Sequence, residues 1–236
     1  MMKQIIAMGG GGFSMEPDNL LLDRYILEQS SAERPRVCFL GTASGDSPGY
    51  IDRFYEAFRT LPCEPSHLSL FKLPEGSLQD YLLEQDVIYV GGGNTRSMLA
   101  LWQEWGIDGL LREAYERGAI LAGLSAGAIC WFEEGVTDSV TGQLGAIRAL
   151  GLLPGSHCPH YDGEAERRPG YHALLRSGEI GTGIAADDGV ALHYRDGELQ
   201  RIVSSRPNAA AYRVEPNSGA VQETKLQAEF LGGRDL

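Results

Sequence analysis

Ser125 stands in the middle of "ILAGLSAGAICW", residues 120–131. An apolar run ends there in Gly-Leu-Ser-Ala-Gly, and a second apolar run begins. A serine hydroxyl packs poorly between two buried elements, and G-x-S-x-G is the pattern of a nucleophile elbow. In such an elbow a sharp strand-to-helix turn lifts the hydroxyl out of the sheet edge. Glycines on either side avoid the clashes that larger residues would make. The helix start behind it offers free N–H groups and a positive dipole end to a developing oxyanion, with the N–H of Ala126 as the natural first donor. The plainer role for Ser125 is that of a helix N-cap.

A nucleophilic serine needs a base, most often histidine, oriented by a carboxylate. The chain has five histidines. His67 falls in an early strand and His193 in a late hairpin, both structural positions, and His172 follows a turn on a helix. "SHCPHYDGE" (156–164) carries His157 and His160, and Pro159 keeps this segment extended or turned. Either histidine can reach Ser125 from a loop. For the acid, Asp138 sits in the polar stretch after the elbow, with Glu133 and Glu134 as nearer alternatives. His157, Cys158, His160 and Asp162 also invite a metal reading, but their spacing fits no structural zinc pattern. The chemistry expected is acyl transfer without a metal or organic cofactor.

A second glycine loop, "VGGGNT" (90–95), also closes a strand and opens a helix. Successive glycines let backbone N–H groups approach a substrate, and Asn94 or Thr95 can cap the helix. A dinucleotide fingerprint is excluded, because glycine is missing at Arg96 in this loop and at Ser14 in the "GGGG" run at 9–12. No G-K-[ST] is present, which excludes a phosphate-binding P-loop.

These residues need a scaffold that brings loops together. Short apolar strands ("KQIIAMG", "RVCFLGTA", "EPSHLSLFKL", "DVIYVGGG", "AILAGL") alternate with helical patterns ("PDNLLLDRYILEQS", "YIDRFYEAFRTL", "TRSMLALWQEW", "IDGLLREAYERG"). This predicts an α/β fold with a doubly wound, mostly parallel sheet and helices on both faces. The loops at the carboxyl ends of such strands are where ligands bind. "AGAICWF" predicts a central buried helix. After residue 150, "GVALHYRDGELQRIV" centres an Asp-Gly hairpin signal, and antiparallel strands follow near "AAAYRVEP" and "GAVQETKL". No linker or repeat interrupts the chain, so residues 1–236 are expected to form one domain.

The 236 residues are 43% hydrophobic and 22% charged, ordinary for a globular protein. A formal net charge of -12 repels phosphate backbones and anionic membranes, so neither nucleic acid nor membrane is an expected partner. No apolar run is long enough to span a bilayer, and the first residues do not read as a signal peptide, which predicts a cytoplasmic protein. The four cysteines show no C-x-x-C spacing and read as reduced, mostly buried thiols. A homodimer is compatible with amphipathic helices such as 95–105.

"VGGGNT", "GLSAGA" and "CPHYD", in this order and spacing, resemble the peptidase E family of serine peptidases, the aspartyl dipeptidases, whose wider group includes cyanophycinase. The resemblance runs through most of the chain. It implies a three-layer fold related to class I glutamine amidotransferases, with serine at the elbow where those relatives carry cysteine. It implies His160 as the base, Gly93 as the second oxyanion donor, and Asn94 and Thr95 in the substrate pocket. It also implies that short peptides with an amino-terminal aspartate are cleaved, the aspartate held by an arginine, here Arg167 or Arg168. Two rival readings are an esterase-type serine hydrolase, disfavoured by the short interval from Ser125 to His160, and a non-catalytic module that binds a small metabolite on the same scaffold.

Overall fold

The computed structural model describes residues 2–72, 76–140, 143–217 and 219–233. The first half builds a parallel sheet from β1 (Gln4–Met8), β2 (Arg36–Leu40), β3 (Glu64–Leu68), β4 (Val87–Val90) and β5 (Ile120–Leu124). The helices between them are α1 (Gly12–Met15), α2 (Leu21–Leu27), α3 (Pro48–Phe58), α4 (Leu78–Leu83), α5 (Thr95–Trp105) and α6 (Ile107–Glu116). β1, β4 and β5 are buried along their whole length, which is why they read as unbroken apolar runs rather than alternating ones. Local chemistry marks the helix ends. Pro48 opens α3, the Asn94 side chain accepts the Ser97 N–H at 2.9 Å at the start of α5, and Gly106 closes α5 in the left-handed region at φ 69°. Of the predicted third strand, only Glu64–Leu68 is strand, and Leu73 lies outside the described residues.

The second half comprises α7 (Ala126–Ile129), β6 (Phe132–Val140), β7 (Gln143–Arg148), β8 (Leu153–Cys158), α8 (Arg167–Ser177), β9 (Gly183–Ala186), β10 (Val190–Arg195), β11 (Glu198–Ser204), β12 (Ala210–Asn217), β13 (Ala220–Gln227) and β14 (Glu229–Phe230). The main sheet has the order β14-β11-β10-β1-β5-β4-β2-β3, with β1 to β5 parallel and β10 antiparallel to β1. Its two faces are covered separately. Phe13, Tyr25, Phe54 and Phe58 from α1–α3 pack on one, and Met98, Trp102, Ile107 and Leu111 from α5 and α6 on the other. The three-layer α/β architecture agrees with the fold expected from sequence. The Asp-Gly hairpin is present too: Asp196 and Gly197 both take positive φ, 50° and 86°, between β10 and β11.

Two expectations need correction. "AGAICWF" is not a central helix. α7 is one turn long, and the chain re-enters a strand at Phe132. A run that is apolar throughout carries no periodicity to separate helix from strand. The later strands also do not all join the first sheet. A second, six-stranded sheet of order β13-β12-β9-β8-β6-β7 packs Phe132, Leu153 and Ala211 against the core beneath α5 and α6.

Candidate active site

The carboxyl ends of β1, β2, β4 and β5 converge, because β4 and β5 fill the gap between β2 and β1. Ser125 follows β5 with φ 54° and ψ -117°, a conformation that a residue with a Cβ holds only when its surroundings over-determine it. The glycines that flank it are needed for contact. A Cβ on Gly123 would lie 2.4 Å from the carbonyl oxygen of Gly127, and one on Gly127 would lie 2.2 Å from that of Val90. Ser125 itself is partly exposed between the buried Leu124 and Ala126. Its Oγ makes no hydrogen bond among the described residues and is free to turn. α7 is too short for a substantial macrodipole, so what it offers is individual N–H groups.

The glycine loop after β4 lies against the serine. A Cβ on Gly92 would come within 3.3 Å of the Ser125 Cβ, and the Gly92 N–H donates to the Tyr50 hydroxyl at 3.2 Å. Gly93 has φ 138° and sits so close to Ala43 that a Cβ would approach its carbonyl oxygen to 2.3 Å. The N–H groups of Gly93 and Ala126 have no acceptor among the described residues. Asn94 spans the gap to β6, its Nδ2 donating to the Ser139 carbonyl at 3.0 Å.

His160 follows β8 and also has φ 54°. Its N–H donates to the carbonyl of Gly9, and the Ser125 N–H donates to that of Met8, so both hang from the end of β1. Nδ1 of His160 lies 2.7 Å from Oδ1 of Asp188. Both are buried, at 8% and 6% exposure. With Nδ1–H directed at this carboxylate, Nε2 keeps its lone pair. Glycine again makes room: a Cβ on Gly10 would fall 2.1 Å from Oδ1 of Asp188, and one on Gly163 would fall 2.2 Å from its Oδ2. The Asp188 N–H is in turn held by Asp162 at 2.8 Å.

The carboxylate beside His160 is therefore Asp188, not Asp138, Glu133 or Glu134. Asp138 projects from β6 toward Arg167, 3.4 Å away, while Glu133 and Glu134 accept the N–H groups of Gly155 and Gly181. Asp188 lies far along the chain, and its sequence signal, the "DDG" that closes β9, looks like any polar turn. The "GGGG" run at 9–12 was equally opaque, and it is what lets the His160–Asp188 pair sit against β1. His157 is buried, stacked on Phe132 at 4.8 Å, with Nδ1 2.9 Å from the Ile184 carbonyl. Burial pushes its pKa down to about 4, so it is neutral packing. His67, His172 and His193 pair with Tyr55, Glu223 and Tyr25 away from the serine. All four cysteines are free and buried. No group of three or more His, Cys, Asp or Glu able to hold a metal ion occurs among the described residues.

A cleft of ≈320 Å³ opens beside Ser125, lined by Gly93, Asn94 and Ser139 and by the charged Asp138, Glu164 and Arg167. Two residues expected there are elsewhere. Thr95, the first residue of α5, is buried with its hydroxyl 3.3 Å from that of Thr137 on β6. Arg168 lies over the rings of Tyr161 and Tyr212 and pairs with Glu223. No helix among the described residues is long and apolar enough to cross a membrane.

The sequence profile of Peptidase family S51 matches residues 5–202. The chain belongs to peptidase family S51. It is 62% identical over 231 residues to the uncharacterized peptidase YgaJ of Bacillus subtilis, covering 98% of this chain and all of that one. It is 26% identical over 171 residues to peptidase E of Shewanella denitrificans, covering 66% of this chain and 68% of that protein. Among solved structures, a peptidase from an acI-B1 Actinobacterium superposes with a TM-score of 0.67 over 97% of this chain and 95% of its own, at 18% identity. The S51 relationship makes this chain a member of a peptidase family, and the structural likeness shows a shared fold.

Proposed function

We propose that this S51 protein is a serine peptidase of short peptides, with Ser125 as nucleophile, His160 as base and Asp188 as the acid that orients it. One observation carries the reading: the strained Ser125 and the buried His160–Asp188 pair are suspended from the consecutive carbonyls of Met8, the last residue of β1, and Gly9 just after it. Nε2 of His160 takes the Oγ proton as Ser125 attacks the peptide carbonyl carbon. The oxyanion is received by the N–H groups of Ala126 and Gly93, each worth about 3–4 kcal/mol of barrier in such sites. The C–N bond then breaks, the leaving amine takes the proton from His160, and water hydrolyses the acyl-enzyme. A cleft of ≈320 Å³ suits di- and tripeptides rather than folded proteins.

The test is hydrolysis of a dipeptide panel by wild type and Ser125→Ala, with labelling of Ser125 by a fluorophosphonate. Cleavage that disappears in Ser125→Ala, with labelling confined to the wild type, supports the reading. Cleavage that survives in the variant overturns it.

A further inference from the structure

Arg167 is the arginine of the cleft, yet its charge is already shared by two carboxylates. Its side chain is 3% exposed. Nη1 donates to the Val136 carbonyl at 3.0 Å, Nε pairs with Glu164, and Nη2 faces Asp138 at 3.4 Å. All three guanidinium nitrogens already face protein oxygens. The two carboxylates are in the opposite state: the side chains of Asp138 and Glu164 are 62% and 46% exposed. Each meets Arg167 through one oxygen, Oδ1 and Oε2, which leaves Oδ2 and Oε1 to accept from an incoming donor.

We propose that the cleft beside Ser125 binds a cationic group of the substrate and turns away an acidic residue on the amino-terminal side of the scissile bond. Asp138 and Glu164 are then the specificity-determining residues, and Arg167 is the positioning residue that holds them. The inference rests on the serine-peptidase reading of the same site. Two carboxylates against one guanidinium leave the charged lining one unit negative, and the remaining lining residues are uncharged. An entering carboxylate would compete with Asp138 and Glu164 for Arg167 and lie beside both, a like-charge contact. An ammonium or guanidinium meets free carboxylate oxygens instead. Arg168 does not line the cleft; it lies over the rings of Tyr161 and Tyr212 at 4.6 and 4.8 Å and pairs with Glu223. Because Ser125 lines the same cleft, the bound cation belongs to the residue whose carbonyl is attacked. It is either that residue's free α-ammonium or its basic side chain.

The experiment compares kcat/KM for Lys-Leu, Ala-Leu, Asp-Leu, N-acetyl-Lys-Leu and N-acetyl-Ala-Leu with wild type, Asp138→Asn and Glu164→Gln. Asp-Leu is expected about tenfold or more below Ala-Leu in the wild type. Both variants are expected to narrow that gap severalfold. Loss of both acetylated peptides assigns the cation to the α-ammonium, and survival of N-acetyl-Lys-Leu alone assigns it to the side chain. A preference for Asp-Leu overturns the inference. So does indifference to acetylation with Lys-Leu no better than Ala-Leu. The wild-type panel decides this even if a variant fails to fold. Absence of cleavage of every peptide, with Ser125 unlabelled by fluorophosphonate, overturns the peptidase reading and this inference with it.

Discussion

Ser125 and His160 hang from consecutive residues of one strand end: the Ser125 N–H donates to the Met8 carbonyl at 3.2 Å, and the His160 N–H to that of Gly9 at 3.0 Å. β1 thus sets the spacing between two residues that arrive from different sheets. Both take φ 54°, so neither backbone is relaxed, and the hydrogen bonds to β1 are part of what holds them there.

Asp188→Asn should lower kcat by about 10³–10⁴, because the amide no longer holds Nδ1–H and stabilises no imidazolium. Glu133→Gln and Glu134→Gln should leave kcat unchanged, since glutamine still accepts the N–H groups of Gly155 and Gly181. Steady-state kinetics of the three variants checks the assignment, and a collapse in Glu133→Gln with Asp188→Asn intact would reverse it.

Gly10→Ala should abolish turnover, because its methyl group would fall 2.1 Å from Asp188 Oδ1 and 3.0 Å from His160 Nδ1. Gly109→Ala is the control. A Cβ there meets nothing within 4 Å on α6, and the change should stabilise the protein by about 0.5–1 kcal/mol with full activity. Kinetics and urea melts on the pair separate a packing effect at the site from a general intolerance of alanine.

Tyr50→Phe removes the acceptor of the Gly92 N–H, a hydrogen bond that fixes the loop carrying Gly93. Losing this part-buried hydrogen bond costs about 0.5–1.5 kcal/mol. The expected signature is a kcat lowered roughly tenfold with KM little changed, since the oxyanion forms after binding. A rise in KM alone would assign Tyr50 to substrate binding instead.

Ser125→Gly should be inactive yet no less stable than Ser125→Ala. Relief of a strained backbone is worth about 1–3 kcal/mol, against about 0.5–1 kcal/mol for the extra freedom glycine gives the unfolded chain. Chemical denaturation of the two variants tests this, and a markedly less stable glycine variant would remove the claim of strain.

Asp23 is fully buried, with Oδ1 accepting from the Tyr89 hydroxyl at 3.1 Å and Oδ2 without a partner among the described residues. Burial pushes its pKa up to about 7. The folded form therefore keeps a proton that the unfolded chain gives up near 4. Stability from this group is whole below about pH 4 and is lost as pH rises toward 7. Asp23→Asn should gain on wild type by a few kcal/mol across that window, on the order of 1.4 kcal/mol per pH unit at most. Urea unfolding at pH 4.5 and 8 measures it, and a difference that does not move with pH would refute it.

The parts of this protein that depend on local chemistry were legible in the chain. Buried parallel strands show as apolar runs, Asn94 and Gly106 show as helix ends, and G-L-S-A-G shows as a turn where only glycines fit around a serine. What depends on distant segments was not. Phe132–Val140 reads equally as the tail of a helix or as a strand, and only its pairing with β7 and β8 decides between them.

By itself the sequence determined the α/β fold class, the serine at the end of β5 and a histidine just past Pro159. It also determined the family, because those motifs are short, local and constrained by backbone geometry. Only the tertiary structure decided that Asp188 faces His160, that Asp138 faces Arg167, and that Arg168 lies over Tyr212 and pairs with Glu223. Each of those pairings joins side chains 28 or more residues apart in the chain. Carboxylates and guanidinium groups look alike in a sequence until folding gives each its nearest opposite charge.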